Sequence, residues 1–127
     1  MKIRSQWAMV AEELKKLVEE AVKYIQDALK QKDLRQMAEK GHLAATLAVD
    51  ALILSKGYEK PKSLYARKRA LEKISLDYAK NYAYIVDDLH KDCFYDGICD
   101  PEVIKRRMQD VKEFTDVIKK KMLSSER

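Results

Sequence analysis

Two interruptions of the same design limit what this chain can fold into. Gly57 precedes Pro61 by four residues, and Gly97 precedes Pro101 by four. Gly41 is the one further glycine, and no other proline occurs. Glycine supplies the left-handed residue just past a helix end, and proline fits the first turn of the next helix. Between these breaks apolar residues recur at helical spacing, without strand-like alternation. The chain of 127 residues therefore reads as one all-α domain of helices joined by short turns.

The first helix is predicted from Ser5 to Lys30, with an apolar stripe that includes Trp7, Leu14, Leu17, Val18, Ala21, Ile25 and Leu29. Asp33, with Gln36 three residues on, has the form of a capping box and opens a second helix running to about Lys56. From Leu43 to Leu54 this helix is apolar almost all round, broken by Thr46 and Asp50. A helix apolar on both sides is buried on both sides, either at the centre of the fold or against a second copy. Ser63 caps a short third helix, and Ser75 interrupts it before a fourth from about Leu76 to Asp92. The core face of the fourth is Ala79, Tyr82, Ala83, Val86, Leu89 and Cys93. Asp100-Pro101 starts a last helix that reaches about Leu123, on Ile104, Met108, Val111, Phe114, Thr115, Ile118 and Met122. Short loops make neighbours antiparallel, so the expected architecture is an antiparallel up-down four-helix bundle with one extra short helix.

Charge narrows the partners. Lys56, Lys60, Lys62, Arg67, Lys68, Arg69 and Lys73 face only Glu59 and Glu72, and this segment carries the whole net excess of +5. Tyr58 and Tyr65 lie within it. Bases with interleaved aromatics suit single-stranded RNA, whose phosphates pair and whose bases stack. The alternative is a solvated linker kept soluble by its lysines. No apolar run approaches the roughly 20 residues of a membrane span, and the first residues lack a signal-peptide pattern, so a cytoplasmic protein is expected. Abundant Lys and Glu with a single asparagine, Asn81, lean towards a thermophile.

Three constellations could carry chemistry. Arg35-x6-His42 places a cation and an imidazole on one helix face, the pair a metal-independent ribonuclease needs for phosphate binding and proton transfer. The alternative is a surface pair. His90-x2-Cys93-x5-Cys99 with a nearby Asp offers zinc-type ligands, though not at a recognised zinc spacing. A Cys93–Cys99 disulfide competes with that reading, and two buried free thiols are the commonest expectation. No phosphate-cradling glycine loop and no nucleophile triad occurs, and no cofactor is expected.

The long first helix, the Ala-rich Gly41–Leu52 stretch, the Gly/Pro loop, the short helix and two further helices resemble the HEPN superfamily. Within it the likeness is to small archaeal proteins of the PaREP1 type. Leu89-His90-Lys91-Asp92-Cys93-Phe94-Tyr95-Asp96-Gly97 is similar to the family's stretch between its last two helices, often an aromatic and then Tyr-Pro-Asp, without that proline here. The resemblance implies a HEPN-like bundle that dimerises, with RNA or a nucleotidyltransferase as partner. The family's catalytic Arg-x4–6-His lies on a late helix. Here that helix offers Asn81 and His90 but no arginine at that spacing. The expectation is a homodimeric, non-catalytic, HEPN-like bundle binding a protein partner or RNA. A HEPN-type ribonuclease and a small-ligand or metal-binding bundle are the alternatives.

Overall fold

In a computed structural model, which describes Lys2–Ser125 and the side chains from residue 10 to 121, two helix ends repeat one signature. Gly57 has φ of 88° and Gly97 has φ of 74°, a region in which a Cβ is strained. At the first end Gly57 donates to the Leu54 carbonyl (3.0 Å) and Tyr58 to the Ile53 carbonyl (3.3 Å), which is the Schellman pattern. At the second, Gly97 donates to Cys93 (3.0 Å) and Ile98 to Asp92 (2.7 Å). That outer bond spans one residue more, because the helix it closes is wider.

Among the described residues the structure is all-helical, without strands. Helix α1 spans Lys2–Lys30, α2 Leu34–Ser55, α3 Leu64–Ile74, α4 Leu76–Ile85 and α5 Pro101–Ser125. Helix α4 runs on without a break as a π-helix over Val86–Tyr95. The expected end near Asp92 is thus passed by three residues, with the last turns widened to i→i+5 bonding. Caps explain the boundaries. Asp33 accepts from the amides of Arg35 (2.8 Å) and Gln36, Ser63 from Ala66 (3.0 Å) and Asp100 from Glu102 (2.9 Å). Ser75 has φ of −163° and closes α3 while opening α4, where its hydroxyl accepts from the Tyr78 amide.

Helix α2 packs against every other helix, including the π segment. Its small residues Ala38, Gly41, Ala44, Ala45, Ala48 and Ala51 are buried, as are Val49, Leu52 and Ile53. The central position uses most of the two-sided apolar character within the chain, while Leu43 is 38% exposed. A Cβ on Gly41 would overlap the Met108 sulfur and press on Leu89 Cδ1 at 3.3 Å, so this glycine lets α5 and the π segment approach closely. Helix α1 contributes Leu14, Leu17, Val18, Ala21, Ile25 and Ala28, and α5 contributes Ile104, Met108, Val111, Phe114, Thr115 and Ile118. Leu29, expected in the core stripe, is 62% exposed beside an open apolar groove between α1, α2 and α5. The side chains of Trp7 and Met122, also expected in the core, lie outside the described residues. No helix among the described residues is long and apolar enough to cross a membrane.

Candidate functional site

One face of α2 is polar although it points into the protein. Glu39, His42, Thr46 and Asp50 follow one another at spacings of three and four, a single stripe on an α-helix. Each meets a polar partner from another element or from the stripe itself. The result is a polar seam between α2 and the α3, α4 and π segments.

At the N-terminal end of this seam, Glu39 holds two histidines. His42 Nδ1 lies 2.9 Å from Glu39 Oε1, and His90 Nδ1, from the π segment, lies 2.9 Å from the same oxygen and 3.2 Å from Oε2. A carboxylate only accepts, so each imidazole donates its Nδ1–H. The two rings stack, with centroids 4.3 Å apart and planes 20° apart. Phe94 stacks farther out on His90 at 6.1 Å, and Tyr95 meets it edge-on at 5.7 Å. Side-chain exposure rises from 14% at His42 and 18% at Glu39 to 30% at His90, so the cluster opens to solvent on the π-segment side. Burial holds the His42 imidazole below its usual value, and the neighbouring His90 lowers it further, against the opposing pull of Glu39. His42 is accordingly neutral near pH 7.

The middle and far end of the seam are closed. Thr46 Oγ1 and the buried Tyr82 hydroxyl are 2.9 Å apart. Arg67 grips Asp50 with two bonds, Nε to Oδ1 at 2.7 Å and Nη2 to Oδ2 at 3.2 Å. Asp50 is buried. Burial works against the Arg67 charge, but the bond and charge of Asp50 outweigh it and hold the guanidinium above its usual value. Burial likewise pushes the Tyr82 phenol up.

These contacts redistribute the residues singled out from sequence. Arg35 and His42 share the polar face as expected, but they do not serve one site. The Arg35 guanidinium turns to the carbonyl of Phe94, where Nε donates at 3.0 Å, and so braces the end of the π segment. Arg67 leaves the set of nucleic-acid candidates, because its guanidinium is spent on a buried carboxylate. Cys93 and Cys99 form a disulfide across the Gly97 turn, so they are neither free thiols nor thiolate ligands beside His90. His90 instead meets Glu39 and His42. Glu39 was not singled out from sequence. The signal was present in Glu39-x2-His42, because i and i+3 share a helix face, and Glu-x2-His is a spacing that builds metal sites in bundle cores.

The remaining basic residues lie on the surface. Lys60, Lys62 and Arg69 are exposed and Lys68 is half-buried. Tyr65 is 73% exposed and Tyr58 is 42% exposed. Tyr82 is buried, as expected of the core face of the fourth helix, and Tyr84 is exposed under Arg107, 5.1 Å from ring centre to guanidinium.

The model of the archaeal PaREP1/PaREP8 family matches residues 10–115, most of the chain and all of the seam. The chain belongs to this family. Its match begins in α1 and ends in α5, so the family unit contains Glu39, His42, Asp50, Arg67 and His90 together. No curated protein and no solved structure matches the chain.

Proposed function

We propose that this member of the PaREP1/PaREP8 family is a HEPN-like four-helix bundle with one short extra helix, a homodimer that binds single-stranded RNA without cleaving it. The carrying observation is the surface formed by the loop after α2 and by α3. Lys60, Lys62 and Arg69 stand exposed there beside the exposed rings of Tyr58 and Tyr65, with Lys68 half-buried among them. Free cations with adjacent π faces match the phosphates and bases of an unpaired strand. The arginines argue against cleavage. A metal-independent ribonuclease needs a cation at the scissile phosphate, whereas Arg35 is held by the Phe94 carbonyl and Arg67 by Asp50. Dimerisation rests on the HEPN resemblance, in which two copies commonly pair.

The test is a salt titration of single-stranded RNA binding, with dimer mass followed by light scattering. Replacing Lys60, Lys62 and Arg69 with alanine removes up to three phosphate contacts, and each lost contact lowers the salt slope by roughly 0.7. The expected outcome is weaker binding, a flatter slope and an unchanged fold. Binding unaffected by the triple substitution overturns the RNA surface. RNA cleavage in EDTA that His90→Ala abolishes overturns the non-catalytic part.

A further inference from the structure

We propose that Glu39, His42 and His90 form a binding site for a divalent transition-metal ion, of which zinc is the representative. This goes beyond the RNA-binding reading and does not depend on it. Glu39 Oε, His42 and His90 each present one ligand atom, and these atoms all lie within 4.8 Å of one another. Both imidazole nitrogens sit 2.9 Å from the same carboxylate oxygen. Ligands about 2.0–2.2 Å from a tetrahedral zinc stand roughly 3.3–3.6 Å apart, so the two histidine–carboxylate distances need to open by only about half an ångström. Two imidazoles and one carboxylate make the donor set favoured by zinc, iron(II), cobalt and nickel, whereas calcium and magnesium prefer oxygen alone.

The scaffold suits the task. Glu39 and His42 come from one turn of α2, and His90 comes from the π segment, so a cation would tie the two elements together. Arg35 fixes the end of that segment through the Phe94 carbonyl. The closest cation on the seam, Arg67, is already neutralised by Asp50. Metal binding replaces the hydrogen at each Nδ1. Each neutral ring moves its proton from Nδ1 to Nε2 through solvent, and the freed lone pair faces the ion. Charge and protons balance without any further reactant. Three protein ligands leave a coordination position for water on the exposed His90 side, unlike a closed four-ligand structural site.

The experiment uses the whole chain without a histidine tag and zinc in competition with a chromophoric chelator. One zinc per chain is expected. Glu39→Gln, His42→Gln and His90→Asn should each weaken binding at least tenfold, while the exposed Glu72→Gln leaves it unchanged. His90→Asn alters the most exposed of the three ligands, so it keeps the test valid if His42→Gln fails to fold. Circular dichroism checks each variant. Absence of zinc uptake overturns the proposal. So does uptake that persists at full affinity in Glu39→Gln and His90→Asn, which would assign the metal to other surface groups.

Discussion

The two ends of the α2 seam are built from the same kinds of residue and do opposite things. At Asp50 one carboxylate meets one guanidinium, both hydrogen bonds are made, and the pair is buried. At Glu39 one carboxylate serves two imidazoles, the rings stack, and exposure grows towards His90. The first end is saturated, with donors and acceptors matched. The second sets two imidazole donors on one Glu39 oxygen, and each ring can shift its Nδ1 proton to Nε2 and turn the freed nitrogen to a metal. The contrast separates a polar cluster that fixes the fold from one that is available for a ligand. Charge alone does not make that distinction, because both clusters lie on one helix face and within one family unit.

The largest effect is expected at the saturated end. Arg67→Ala strands the Asp50 charge in the interior and should cost about 3–5 kcal/mol, measured by urea unfolding. The double substitution Asp50→Leu with Arg67→Met removes both charges and should recover most of that loss. If Arg67→Ala costs no more than an ordinary surface substitution, the pair is not the fold-fixing element described. Next in size is the disulfide. Reducing Cys93–Cys99 opens a short loop and should cost roughly 2 kcal/mol by the chain-entropy argument. Hydrogen exchange should then rise first in the π segment beside His90. Unchanged melting with and without reductant would contradict this.

A smaller effect separates the two ends by pH. His42 binds its proton less readily in the folded chain than in the unfolded one. As pH falls through about 6.5, the unfolded state gains the proton first, so stability declines, and the decline levels off below the folded value. In metal-free protein His42→Asn should flatten this slope between neutrality and mild acid. An identical pH profile for His42→Asn and the native chain would show that the histidine end carries no such linkage.

How much of this was legible in the sequence follows from the range of the interactions. Helix ends were legible, because Asp33, Ser63, Ser75 and Asp100 cap within three residues and the two glycines close within six. Most of the α1 and α5 core was legible from its period. Leu29 was not, since it borders an open apolar groove rather than the closed core. The π continuation has no local marker, and the Arg35 contact at its end comes from 59 residues away. The site itself was half visible. Arg35, His42 and His90 were recognised as chemical groups, but their partners lie 51 residues away for Glu39–His90 and 59 for Arg35–Phe94. Periodicity says nothing about contacts at that range. Arg67 shows the same limit, because a basic run looks uniform until one member finds a buried acid.

The most direct test of the division between a saturated and an open end is anomalous diffraction from crystals grown with zinc. The account predicts one peak per chain, about 2.0–2.2 Å from a Glu39 carboxylate oxygen and from one nitrogen each of His42 and His90. Asp50 and Arg67 should remain paired to each other with no metal near them. A map with no peak at Glu39, or with zinc only on other residues while both histidines stay hydrogen-bonded to Glu39, would contradict it.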